Sequence, residues 1–320
     1  MRRALVTTLD WLGAHGTRLL AGSIFVGLVF PDLAALFRPA FPVAVFFMLS
    51  IAMIRIDLPA ARAYVTRPML LITAMIWMTV ATPILLSVSF WLFDPSPAIA
   101  LALVFWATAP ATVSSPAFAH LLGLNGTLSL ALLLAAMITA PFIIPGLTEL
   151  LADAEIAVTT SALMVRLTLL VGGAAVTAFV VRSWLGASRR SRAEPVFDGL
   201  NVVFMVMFAV AAMDGVTNSF IERPWHVAWL IALTAALSVG CIVVATALFW
   251  RSGRMPAATF GFSNGNRNMS LVLGALAGNV PHDTWIFFAV AQFPIYLFPL
   301  LLKPCYAWLL ADRKRPASAN

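Results

Sequence analysis

The chain has 320 residues, 62% of them hydrophobic and 10% charged, with a mean hydropathy of +0.96. A water-soluble globule carries about a quarter charged residues, so this composition excludes a soluble enzyme or binding module and requires lipid as the solvent. The net charge of +7 could suit nucleic acid, but the basic residues flank apolar runs, which excludes nucleic acid as a partner.

Crossing a hydrocarbon core of roughly 30 Å takes about 20 apolar residues, and each such run is read here as a helix. Residues 1–17 open Met1-Arg2-Arg3 and hold Asp10 and His15. They are too polar for a cleaved signal and read as a cytoplasmic amphipathic lead-in. Spans follow at 18–36, 40–56, 69–93, 97–122 and 127–151. The fourth reads Trp106-Ala-Thr-Ala-Pro-Ala-Thr-Val-Ser-Ser-Pro-Ala-Phe118, where Pro110 and Pro116 each remove a backbone donor and Thr112, Ser114 and Ser115 lie between them. A sixth span, 161–183, is followed by the polar linker Gly186–Pro195, and the spans group five and five into halves at 18–152 and 153–310. Spans at 197–216, 225–250, 255–278 and 284–310 complete ten, and 311–320 is a tail. The ninth holds Gly261-Phe-Ser-Asn-Gly-Asn-Arg-Asn-Met-Ser270, with three asparagines and an arginine where hydrocarbon is expected. Cys241 and Cys305 lie in apolar stretches and imply no disulfide framework.

With the N-terminus in the cytoplasm, inside segments collect 16 of the 20 basic residues, from Arg2 and Arg3 to Arg313, Lys314 and Arg315. Outside loops keep Arg38 and Arg223 alone, while Arg166 and Arg267 fall within spans. This is the positive-inside pattern of a multi-pass protein of the plasma or inner membrane with both termini cytoplasmic. Five spans per half is an odd number, so the second half enters from the opposite side, which is the parity of an inverted repeat.

In hydrocarbon every backbone polar group needs a partner, so mid-span breaks need a reason. The two broken spans are the fourth of each half, a matched pair that points to a transporter's binding site near the bilayer midplane. Arg267 admits two readings: pairing with helix C-terminal carbonyls, or contact with an anionic substrate through its planar fork. Thr82-Pro83 and Gln292 with Pro294 either line the same cavity or mark kinks. Asp214 and His226, near the outer edge, either relay protons or mark solvated loop ends.

The segment order resembles the bile acid:sodium symporter family. Phe47-Met-Leu-Ser-Ile-Ala-Met-Ile-Arg-Ile-Asp57, with Arg67-Pro68, is similar to the family's second helix and basic loop. Pro110 through Ser129, with Leu121, Asn125, Leu128 and Ser129, is similar to its helix-four motif, and Ser263–Leu271 to its E-V-G-M-Q-N-S-G-L stretch through Gly265, Asn268 and Leu271. The resemblance implies an all-α membrane fold of ten helices in two inverted five-helix repeats. It also implies a panel and a core domain, with crossed, discontinuous helices four and nine. The family's sodium ligands are largely replaced: its glutamate is Ser263, its glutamines are Arg267 and Met78, its asparagine is Pro116 and its threonine is Leu133. Ser115 and Ser129 remain as residual sodium-site positions, so sodium coupling is expected to be weak or absent and no other cofactor is implied.

The expected activity is alternating-access transport of a small organic anion, bound by Thr112, Ser114, Ser115, Ser263, Asn264, Asn266, Arg267 and Asn268. Other readings are an arsenite- or auxin-type permease, an exporter, or a transport-inactive sensor or scaffold. No nucleophile–base or metal pair in the spans suggests an enzyme. The partners expected are the bilayer and the anion, with a monomer as the working oligomeric state.

Overall fold

The computed structural model describes residues 11–12, 15–56, 68–152 and 158–311. The lead-in up to Asp10, the basic loop with Arg62 and Arg67, Asp153 and Glu155, and the tail beyond Ala311 lie outside the described residues. Among the described residues the architecture is all-helical, with no strand beyond one isolated bridge.

In chain order the helices are α1 (Gly16–Val29), α2 (Pro31–Phe37), α3 (Phe41–Arg55), α4 (Pro68–Ile76), α5 (Thr82–Val88), α6 (Phe90–Phe93), α7 (Pro97–Thr108) and α8 (Ser115–Leu121). Then come α9 (Gly126–Leu151), α10 (Thr160–Ala212), α11 (Val216–Glu222), α12 (Pro224–Leu248), α13 (Arg254–Gly265), α14 (Ser270–Ala275), α15 (His282–Leu301) and α16 (Lys303–Leu310). Prolines open many of them, where the missing N–H would have had no helical acceptor. Asn125 caps α9 by accepting from Leu128 N at 3.0 Å.

Seven stretches of the described residues are long and apolar enough to cross a membrane: Pro31–Arg55, Pro68–Phe93, Gly126–Leu151, Thr160–Gly186, Arg192–Glu222, Pro224–Leu248 and His282–Leu301. The chain is an integral membrane protein of the all-α class. Apart from the short α16, the remaining helical segments, α1 and the split pairs α7/α8 and α13/α14, are each too short for that criterion.

Three boundaries differ from those the sequence suggests. The break between the first two spans falls at Phe30 (φ −119°, ψ 77°), because Pro31 starts a new helix that runs through the 3-10 turn Arg38–Ala40 into α3. The polar linker 186–195 is helical, and the run Thr160–Ala212 breaks at Gly186 alone, whose φ of 65° favours glycine. The last span divides at Leu302, just before Pro304.

The helices pack as two groups. In the first, α1, α2 and α3 lie against α10, which continues into α11. In the second, α12, α13 and α15 pack together with α7, α8 and α9. The two groups meet where α9 and α14 touch α10 and α3. Burial is heaviest in the second group: Leu101–Ala109, Ala257–Arg267 and Trp285–Ala291 are buried throughout, so the interrupted helices occupy the interior of the protein. Helices at the periphery, such as α12, are apolar but exposed, as a lipid-facing surface requires.

Candidate functional site

Pro110 disfavours helical backbone at the residue before it, and Ala109 is accordingly extended (φ −62°, ψ 144°), which ends α7. The chain stays non-helical until Ser115-Pro116 opens α8. In the second interruption α13 ends at Gly265, Asn266 leaves the helical region (φ −114°, ψ 80°), and α14 starts at Ser270. Each break frees backbone groups that lipid cannot satisfy, and the two breaks satisfy one another. Thr112 N–H donates to Asn266 O at 2.8 Å and Asn268 N–H to Pro110 O at 2.8 Å, which makes an antiparallel bridge between Ala111 and Arg267.

Close packing sets the position of α13. A Cβ at Gly261 would lie 2.6 Å from Ile242 O, and one at Gly265 would lie 2.5 Å from Ile242 Cγ1. Gly261 and Gly265, four residues apart, thus let α13 touch the backbone of α12, the geometry that small residues serve between membrane helices.

Arg267 lies at the junction with no exposed surface. Its Nε donates to Asn264 O at 2.6 Å, one terminal nitrogen to Met78 O at 2.7 Å and Ala109 O at 3.0 Å, and the other to Asn264 Oδ1 at 2.5 Å. The guanidinium carbon is 5.8 Å from the Trp106 ring centroid. Ala109 and Asn264 belong to the C-terminal ends of α7 and α13, where a cation is favourable beside the helix dipole. Met78 belongs to the π-helical turn Trp77–Ala81 joining α4 to α5. Asn264 is held in turn, donating from Nδ2 to Cys241 O at 3.2 Å, with Thr82 Oγ1 3.4 Å from its Oδ1. These four hydrogen bonds all go to amide or backbone oxygens, so the buried full charge is stabilised by converging dipoles.

A second cluster consists of hydroxyls. Ser115 Oγ is 3.1 Å from Ser129 Oγ, which is 3.0 Å from Ser263 Oγ, and all three side chains are fully buried. They come from α8, α9 and α13. The other expected residues lie around the break. Ser114 Oγ donates to Thr112 Oγ1 at 3.4 Å, and Asn268 Oδ1 accepts from Ser270 Oγ. Ser114 and Asn268 are partly exposed. The Asn266 side chain is buried, and neither its Oδ1 nor its Nδ2 has a protein partner.

All the sequence-selected residues therefore converge, but in three sets: Arg267 with Asn264, the serine chain, and the Thr112–Ser114–Asn266–Asn268 rim. Thr82 joins the first set, whereas Gln292 donates to Phe288 O in its own helix at 3.2 Å. Sequence reading did not identify the carbonyls of Met78 and Ala109, because main-chain acceptors leave no mark in residue type.

The family model described as the sodium bile acid symporter family matches residues 42–223, from α3 through α11 and more than half of the chain. The chain belongs to the sodium bile acid symporter family. It is therefore a membrane transporter of the bile acid symporter type, and its apolar helices suit the membrane setting. The family match contains the first break with Ser115 and Ser129 and stops short of the second, where Ser263 and Arg267 stand. No curated protein matches the chain.

Proposed function

We propose that this symporter-family protein carries a small organic anion by alternating access and that Arg267 supplies permanently the positive charge that sodium supplies in its relatives. The observation that carries the reading is the guanidinium of Arg267, which takes up the carbonyls of Met78, Ala109 and Asn264. A hard cation binds through oxygen ligands, and those carbonyls are already used by a donor that cannot dissociate. The serine chain does not fit sodium either, since Ser115, Ser129 and Ser263 are hydrogen-bonded to one another and bring no carboxylate.

The anion is placed at the rim, where Thr112, Ser114, Asn266 and Asn268 offer hydroxyl and amide donors. The field of the Arg267 charge acts on it from behind in a low-dielectric setting. In this reading the three shorter or split segments cross the membrane too, giving ten crossings in two inverted repeats. The first helix group acts as panel and the second as core, with both termini cytoplasmic in the plasma or inner membrane and a monomer as the working unit. A fixed cation draws no energy from a sodium gradient, so transport is downhill unless protons are coupled.

The test is uptake of radiolabelled monocarboxylates and sulfonates into proteoliposomes with sodium replaced by choline. Uptake at an undiminished rate is expected. Uptake that collapses in choline overturns the proposal, and efflux without uptake identifies an exporter instead.

A further inference from the structure

Away from the crossed breaks, one polar cluster joins the two helix groups. Arg38, in the 3-10 turn between α2 and α3, belongs to the first group. One of its terminal nitrogens donates to Asp214 Oδ2 at 2.6 Å and the other to Gly278 O at 3.1 Å. Its guanidinium carbon lies 4.3 Å from the centroid of the Trp285 ring. Asp214 follows α10 in the first group, whereas Gly278 and Trp285 belong to the second. The link is doubled, because Trp285 Nε1–H donates to Asp214 O at 3.1 Å.

The setting is built closely around the arginine. Gly278 has a φ of +72°, and a Cβ there would lie 3.3 Å from Trp285 Cζ3 and 3.6 Å from Arg38 Nε. Trp285 is fully buried, and the Arg38 and Asp214 side chains retain 33% and 16% of their exposure, so the ion pair is shielded more than a surface pair. Beside it, Ser219 Oγ of α11 lies 2.8 Å from His282 Nε2 at the start of α15.

The opposite end of the first group is fastened differently. There Arg55 pairs with Asp198 at 2.7 Å, and Arg182 donates to the carbonyls of Ile54 and Ile56 at 2.9 and 2.7 Å. Those contacts brace the first group internally, as the Arg38–Asp214 pair also does, whereas the Arg38 contacts with Gly278 and Trp285 tie it to the second.

We propose that Arg38 is a latch: its simultaneous hold on Asp214, Gly278 and Trp285 keeps the two helix groups closed at this end, and its release accompanies opening there. The inference rests on the alternating-access reading, in which the two groups move relative to each other. A planar guanidinium suits the task because its two nitrogens serve partners on different groups at once, which a lysine ammonium does less well.

Spin labels at Leu36 on α2 and Ser96 before α7, both exposed, report the distance between the groups at this end. The background carries Cys241→Ala and Cys305→Ser, and the protein is reconstituted in nanodiscs for pulsed electron–electron resonance. The parent protein should show one short-distance population. Arg38→Gln should raise a longer-distance component by about tenfold, as loss of the charged hydrogen bond to Gly278 O and of the Trp285 contact across the groups implies, and Arg38→Lys should fall between. Asp214→Asn should act in the same direction and keeps the test decisive if Arg38→Gln does not fold. Unchanged distances in the folded variants overturn the latch. The measurement needs no transported solute, so a shift in distances with no uptake in liposomes retains the latch and removes the transport reading instead.

Discussion

Arg267 is the residue on which the site's energetics turn. With no exposed surface and four hydrogen bonds, its charge is balanced by backbone and amide oxygens from three segments of the chain. Arg267→Gln leaves the carbonyls of Met78 and Ala109 short of donors in a low-dielectric interior, and a loss of about 1–3 kcal/mol per carbonyl is expected. Urea unfolding in detergent measures it, and an unchanged midpoint would show that the converging carbonyls do not depend on the guanidinium. Asn266 has the opposite balance. Its carboxamide is buried with both polar atoms unpaired by protein, so Asn266→Leu should be neutral or stabilising by about 1–3 kcal/mol while anion-dependent thermal stabilisation falls. If ligand stabilisation survives that change, Asn266 is not part of the proposed anion-binding rim. The sequence made Arg267 conspicuous, since an arginine amid three asparagines in an apolar span needs an explanation. It left open whether the partners were carbonyls or substrate. Only coordinates decide that, because Met78 lies far away in sequence and contributes a main-chain oxygen.

At the scale of the element, proline and glycine act in different ways. Pro110 and Pro116 end and restart the helices of the first break, and both effects are readable in the sequence because proline acts on its immediate neighbours. Gly261 and Gly265 act through a neighbour instead, by letting α13 rest on α12. Gly261→Val should push the two helices apart, at a cost of about 1–3 kcal/mol for overpacking, with a matching fall in the folded fraction by size-exclusion chromatography. A normal elution profile and melting temperature would mean that α12 yields at no cost. The boundaries that sequence reading misplaced belong to the same scale. An apolar run marks where lipid is tolerated but does not say where the helix turns, so Phe30 was passed over. The arginine-rich segment after Gly186 reads as a loop by composition, yet it can remain helical because charge does not prevent intrahelical hydrogen bonds.

For the whole molecule, the two clusters at the crossing give a test that involves the whole site. Ser263→Glu with Arg267→Gln returns the carboxylate and the amide of the motif that Ser263–Leu271 resembles. The double variant should gain thermal stability in sodium chloride relative to choline chloride, while the parent protein shows no difference. An equal response of both proteins to the two salts would mean that more than these two positions separates the chain from its sodium-binding relatives.

The sequence by itself determined the solvent, the family, the positions of the two breaks and the residue types gathered there. These follow from local physics: each apolar run must meet lipid, and each proline or polar cluster interrupts its own helix. The tertiary structure alone decided how the breaks pair through Thr112 and Asn268, where the Arg267 charge is spent, and that Arg38 joins one helix group to the other. Those contacts link segments as far apart as α4, α7 and α13. Their partners are largely backbone oxygens, and every residue carries one, so side-chain identity cannot announce which of them will be used.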